Sequence, residues 1–189
     1  MSLKPHKNDG GTGLNSDHII NAGNDCLTHI ALLFSAIVVH GDIPDSFLRS
    51  SIVPIPKGKR GTASDSTNFR GITLSSIYGK IFDNIVLFRY GDRLSSSELQ
   101  FGFKSKSSTN LCTMLLKESI SYYTHHQSTV FCTFLDASKA FDRVRYCKLF
   151  RLLVNRQVPA LIIRVLINFY VGNFVRVQWS GIVSDYFLA

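Results

Sequence analysis

Apolar positions recur at close to helical spacing between about Ser16 and His40, where Ile19, Ile20, Leu27, Ile30, Ala31, Phe34, Ile37 and Val38 form one stripe. Gly41 and Pro44 in "HGDIP" close that helix, and the stripe reads as core packing. The pattern then changes. "SSIVPIPKGKRG" holds a short β-type run, Ile52 to Ile55, interrupted by Pro54 and Pro56, which suits an edge strand or a hairpin arm. A basic loop, "KGKRGTASDSTN", leads to "FRGITLSS" as the returning strand. The helical repeat resumes in "IYGKIFDNIVLFRYGDRL", with Ile77, Ile81, Ile85, Leu87 and Phe88 expected on the buried side.

"SSSELQFGFKSKSSTN" is a second polar loop, followed by a helix from about Ser107 to Tyr123. "STVFCTFLD" is almost continuously apolar, the pattern of a strand buried on both faces of a sheet. After Asp136, "SKAFDRVRYCKLFRLLVNR" is at least partly helical, and Pro159 suits the first turn of a helix over Ala160 to Tyr170. "NFVRVQW" alternates as a half-buried strand, with Val175, Val177 and Trp179 on one face and Phe174, Arg176 and Gln178 on the other. There is no internal repeat and no compositional break that marks a second domain.

Composition narrows the partners. With 189 residues, 45% of them hydrophobic, the chain has enough apolar surface for a substantial core and is not a disordered tail. Lysine and arginine number 21 against 13 acids, a net charge of +8 that favours nucleic acid or an anionic membrane surface over a neutral partner. A merely soluble basic protein is the plain alternative. Cys26, Cys112, Cys132 and Cys147 form neither a C-x-x-C pair nor a Cys/His run, so they read as free thiols in a reducing compartment. The first residues lack the apolar stretch of a secretory signal, and Ile30 to Val39 falls short of the roughly 20 residues that span a bilayer. These features predict an intracellular protein with no membrane partner.

The candidate chemistry gathers at "FLDASKAFDRV". A carboxylate at the carboxyl end of a buried strand projects into the crevice where such sheets bind ligands, and Asp136 there suits a hard metal ion. It equally suits the cap of a following helix. Phe141 is either an aromatic plate beside that site or core, and Asp142 with Arg143 is a surface pair of little energetic weight. Upstream, Lys57, Lys59 and Arg60, with Arg70 on the returning strand, can clamp a triphosphate. Read plainly they are a solvated face or a nuclear-import patch. Gln100, Phe101, Phe103, Lys104 and Lys106 interleave aromatic and cationic side chains, as suits stacking on bases and tracking phosphates.

In order, "LKPHKNDGGTGLNSDHI", "VPIPKGKR", "NFRGITLSSIYGKIFD", "LQFGFKSKSST", "FLDASKAFDRV" and "RVQW" resemble the reverse transcriptases of non-LTR (LINE-type) retrotransposons. The resemblance implies an α+β right-hand polymerase, of which this chain is the fingers and part of the palm, truncated before the palm is complete. Residues 1–45 would be a helical lead-in, 46–105 fingers-like, 106–145 a partial palm, and 146–189 helices and a strand returning toward the fingers. It implies that Asp136 is catalytic and binds two Mg²⁺ ions, that Ala137 lends a backbone carbonyl to one of them, and that Phe141 gates the sugar 2′ position. Lys57, with Lys59, and Arg70 would hold the deoxynucleoside triphosphate. Gln100, Phe101, Lys104 and Lys106 would lie along the RNA template and DNA primer. The expected location is the nucleus, the cytoplasm or both.

Gly71 stands where many members of that family have proline, which loosens the turn but keeps Arg70. The family's "QGG" segment and its apolar-x-Asp-Asp strand do not occur in these residues. Two alternatives follow: a non-catalytic basic fragment that binds RNA or an RNA–DNA hybrid, and a decayed relic of a retrotransposon. A phosphoaspartate enzyme fits poorly, since the second aspartate of that signature is replaced by Ser138. Two-metal transfer holds ions roughly 3.5 to 4 Å apart and needs more carboxylates than Asp136. The polypeptide of these 189 residues is therefore expected not to extend a primer. Template-dependent incorporation that Asp136→Asn abolishes would contradict this.

Overall fold

A computed structural model describes residues 3–9, 13–58, 65–104, 106–137 and 139–189. Its contacts divide the chain into two units, Met1–Arg93 with Phe150–Ala189, and Leu94–Leu149. The mixed helix and sheet content agrees with the expected α+β class.

In the first unit the long predicted helix is two. Helix α1 (Ser16–Ile20) starts on a capping box, in which Asn15 Oδ1 accepts from the His18 amide at 3.1 Å and His18 Nδ1 faces the Asn15 amide at 3.2 Å. It ends at Asn21, and the chain re-enters helix α2 (Asn24–His40) from an extended Gly23. "NAGND" supplies a stop and a new start within one stretch, and this overrides the continuous apolar stripe. Helix α2 buries Phe34 and Ile37 and closes at Gly41, whose φ of 83° is left-handed. Its last carbonyls are occupied from far along the chain. Arg164 Nη2 donates to Val39 O at 2.7 Å and Val38 O at 3.3 Å, and Asn168 Nδ2 donates to Gly41 O at 2.8 Å. Both side chains come from helix α7 (Ala160–Val171), placed after Pro159 as its sequence predicts.

The short helix α3 (Asp45–Leu48) leads into strand β1 (Arg49–Pro56), which forms an antiparallel hairpin with β2 (Phe69–Leu74) and runs parallel to β3 (Phe174–Trp179). Two short strands, β4 (Ile182–Val183) and β5 (Phe187–Leu188), pair antiparallel with β3. Ser180 and Gly181 both have positive φ and make the tight turn between β3 and β4. Strand β1 is thus a hairpin arm but not wholly an edge. Arg49 and Ser50 pair only with β3, Ser51 and Ile52 pair on both sides, and Val53 to Pro56 pair only with β2. Lys57 N donates to Asn68 O at 2.8 Å, so in this register the odd-numbered β1 residues make the ladder bonds to β2. Pro54 and Pro56 fall on the alternate positions, where a missing N–H costs the hairpin nothing.

The core of this unit is aromatic. Phe34 meets Phe47 and Phe82 at centroid distances of 6.3 and 5.9 Å, Phe82 stacks on Phe169 at 5.5 Å, and Phe47 stacks on Tyr78 at 4.5 Å. This cluster sets the rotation of helix α4 (Ile77–Tyr90). It buries Ile77, Phe82 and Val86, whereas the expected Ile85, Leu87 and Phe88 are exposed, Phe88 at 85%. A phenylalanine offers more area to bury and ring partners besides, so Tyr78–Phe82–Val86 displaces the isoleucine stripe by one residue.

The second unit holds helix α5 (Thr109–His125), N-capped by Ser108 Oγ, and the first residues of helix α6 (Tyr146–Asn155). "STVFCTFLD" does not form the expected buried strand. It runs without secondary structure, with Phe131, Phe134 and Leu135 at 91%, 81% and 95% exposure. A strand needs a ladder partner for its N–H and C=O groups, and no strand lies among the described residues of this unit. Among the described residues no helix is long and apolar enough to cross a membrane.

Gly41→Ala tests the α2–α7 closure. A side chain there adds the left-handed penalty of about 1–2 kcal/mol to a Cβ placed 2.6 Å from Arg164 Nε. The urea midpoint is expected to fall at unchanged slope, and an unaltered midpoint would show that Arg164 does not depend on the glycine.

Candidate nucleotide and nucleic-acid interface

The cations of the β1–β2 hairpin sit on one sheet face because side chains alternate along a strand. Arg70 lies opposite Ile55, and Lys57 follows two residues later on the same face as a diagonal neighbour, a spacing of roughly 7–8 Å. Both are exposed. Lys57 is anchored: its Nζ donates to Thr67 O at 2.7 Å. Thr67 is held in turn by Asp65, which accepts from its amide at 2.9 Å and its hydroxyl at 2.7 Å and so caps the 3-10 turn Ser66–Asn68. The Thr67 hydroxyl and then its amide hold the Asp65 carboxyl below the usual aspartate range; desolvation opposes them, and the Lys57 charge is the least of the contributions. Lys59 lies outside the described residues.

The same face carries two arginines that sequence reasoning left aside. Ser51 pairs with Arg176 across the parallel ladder, and Arg176 Nε donates to Ser51 Oγ at 3.0 Å. The guanidinium carbons of Arg49 and Arg176 stand 5.3 and 5.2 Å from the centroid of the Tyr186 ring, within cation–π range. Lys57, Arg70, Arg176 and Arg49 therefore line one face along about 26 Å of β1, at about 3.3 Å per residue. The signal was present in the sequence: Arg176 alternates with Val175 and Val177. Only the register shows that it joins the hairpin cations.

In the second unit Asp136 and Ala137 end the unpaired apolar run and are exposed. No helix begins there. The chain turns through Lys139 to Arg143, with Arg143 N donating to Lys139 O at 3.2 Å, and α6 starts ten residues beyond Asp136. The helix-cap alternative is thus not what the fold uses. Nor is Phe141 core: it is 77% exposed and meets the Phe103 ring edge to face at 6.0 Å. That contact joins the 100–106 loop to the Asp136 segment within the unit. The loop is irregular, with Phe103 and Lys106 both in the left-handed region. Gln100 Nε2 donates to Gly102 O at 3.1 Å, Lys104 Nζ reaches Ser97 O at 3.4 Å, and Phe101 is half-buried.

As a donor set for Mg²⁺, a carboxylate followed by a backbone carbonyl is chemically right, since both are hard oxygens. The set is small. Among the described residues no three His, Cys, Asp or Glu side chains gather as a metal cluster, and the four cysteines are free and exposed.

Residues 55–184 match the reverse transcriptase (RNA-dependent DNA polymerase) family. The chain belongs to that family. It is 26% identical over 145 residues to a 115 kDa protein in type-1 retrotransposable element R1DM of Drosophila melanogaster, covering 76% of this chain and 14% of that protein. It is 29% identical over 139 residues to the retrovirus-related Pol polyprotein from type-1 retrotransposable element R2 of Nasonia vitripennis, covering 74% of this chain and 13% of that protein. These matches make it a non-LTR reverse transcriptase sequence, one that spans about a seventh of the length of these relatives. The family match includes Lys57, Arg70, the 100–106 loop, Asp136, Phe141 and Arg176. Arg49 and Tyr186 lie outside it.

Because the folded-state pKa of Asp65 is depressed, its hold on Thr67 is complete above the unfolded aspartate value and is lost as pH falls through the lower folded value. The Asp65 carboxyl, followed by NMR, is expected to titrate below an ordinary aspartate, and Thr67 amide exchange to quicken over the same acid range. A midpoint at or above the ordinary value would contradict the capping role.

Proposed function

We propose that these residues serve RNA-directed DNA synthesis, as the fingers and part of the palm of a right-hand polymerase. The observation that carries the reading is the placement of Lys57 and Arg70 on one exposed sheet face, inside the segment that matches the reverse transcriptase family. Their charges would neutralise the phosphates of an incoming deoxynucleoside triphosphate. The Thr67 carbonyl holds Lys57 toward the returning strand, so that the cation is positioned before the ligand arrives.

Asp136 and the Ala137 carbonyl would contribute the first ligands for Mg²⁺. The bound metal would neutralise triphosphate charge and activate the primer hydroxyl. Phe141, exposed and braced edge-on by Phe103, offers a flat ring that would exclude a 2′-hydroxyl. Gln100, Phe101, Lys104 and Lys106 would follow the RNA template and DNA primer by stacking and phosphate contact.

The extension of the basic face to Arg176 and Arg49 favours a second reading, a surface that holds RNA or an RNA–DNA hybrid without turnover. One experiment separates the two. Lys57→Gln and Arg70→Gln are each expected to weaken Mg·dTTP binding about tenfold, the worth of one charged hydrogen bond, while hybrid affinity stays within about twofold. Loss of hybrid affinity with nucleotide binding intact would favour the binding surface over the polymerase reading.

A further inference from the structure

The basic face is built differently near the start of β1 than at the hairpin tip. Arg176 is held at two points: its Nε donates at 3.0 Å to the hydroxyl of the fully buried Ser51, and its guanidinium carbon lies 5.2 Å from the centre of the Tyr186 ring. Arg49 reaches the same ring at 5.3 Å. Two guanidinium groups thus converge on one half-buried aromatic side chain, whose attraction for each offsets the repulsion between them.

Phe174 stands directly across the parallel ladder from Arg49 and two residues before Arg176, so its side chain shares their face. Its ring is 42% exposed. Further along the same face Ile55 and Ile72 are exposed as well. A duplex turns its bases inward and meets a protein mainly through phosphates and sugars, which calls for cations. Exposed rings and aliphatic side chains set among cations match an unpaired strand instead, whose bases lie open to stacking while its phosphates follow the charge. The net charge of +8 is complementary to such a strand.

We propose that Arg49, Arg176 and Phe174, with Tyr186 as their positioning residue, form a clamp for a single-stranded polynucleotide, and that this face prefers an unpaired strand to an RNA–DNA hybrid. The guanidinium groups donate to phosphate oxygens, and the Phe174 ring stacks on a base. Tyr186 keeps both arginines on the face before the strand arrives, so less side-chain freedom is lost on binding. The inference rests on the reading of this face as a nucleic-acid surface and adds which nucleic acid it takes. Arg49 and Tyr186 lie outside the segment that matches the family, so the family match does not supply the clamp.

Fluorescence anisotropy on the whole chain, with a labelled RNA oligonucleotide of unstructured sequence, alone and annealed to its complementary DNA, measures both affinities and their salt dependence. The single strand is expected to bind at least about fivefold more tightly than the hybrid, the worth of one base–aromatic stack, and Phe174→Ala to remove that preference. Arg49→Gln, at an exposed position, is expected to weaken single-strand binding about tenfold and to make the slope of log K against log salt shallower by about 0.7. Tyr186→Leu leaves the net charge unchanged, yet is expected to flatten the slope in the same direction, whereas Tyr186→Phe keeps the ring and the parent's slope. An unchanged thermal midpoint verifies the folding of each variant. Parental slopes in both Arg49→Gln and Tyr186→Leu overturn the clamp. Equal binding of strand and hybrid by the parent overturns the preference and leaves the surface reading standing, while no binding of either overturns both.

Discussion

The carbonyl end of α2 is the point on which the larger unit depends. A helix leaves its last C=O groups without partners, and burying them unsatisfied costs more than most single contacts return. Here the partners are Arg164 and Asn168, more than 120 residues later, so α7 supplies what the end of α2 lacks. Gly41 makes room for the guanidinium by lacking a Cβ and by adopting a left-handed turn. The same helix brings β3 alongside β1, since Phe174 follows α7 by only a few residues. The N-terminal and C-terminal stretches thus form one fold through a polar closure and a parallel strand pair, with Phe34, Phe82 and Phe169 filling the space between the helices.

That closure also fixes the candidate interface. Once β3 is docked, its alternation decides which of its side chains share the face of Lys57 and Arg70. Arg176 joins them and Val175 turns to the core. The prolines of β1 restrict pairing on the far side of Val53 to Pro56, so the hairpin's outer half keeps one neighbour and the cations near its tip stay accessible. Function and fold are linked here by register rather than by proximity in sequence.

Much of this was legible beforehand, for identifiable reasons. The hairpin, β3, α5 and α7 each carry a local signal: a paired set of turn residues, a period of two, a serine cap, a proline at a first turn. The family was legible because its motifs stand in order. What failed had a tertiary cause. The continuous helix over Ser16 to His40 was broken by Asn21 and Gly23, whose turn preference outweighed periodicity. The face of α4 was chosen by Phe47 and Phe169, which no window around α4 contains. The strand expected at "STVFCTFLD" had the right composition and no ladder partner. For Asp136 the sequence left a metal ligand and a helix cap side by side, and only the turn at Lys139 to Arg143 shows that no helix starts on it. Arg49 and Arg176 escaped notice because two residues about 125 positions apart become neighbours only through strand register.

The unpaired run Val130 to Leu135 has a further consequence, for behaviour in concentrated solution. "VFCTFL" is six residues with β-branched and aromatic side chains, no charge, no proline and no glycine. With no strand partner and with Phe131, Phe134 and Leu135 exposed, it can pair with the same six residues of another molecule, and its rings can interdigitate across a dry sheet interface. The net charge of +8 opposes such stacking at low ionic strength, and added salt screens that repulsion. Salt would then act on this chain in two directions, loosening its grip on polyanions while letting its molecules approach one another.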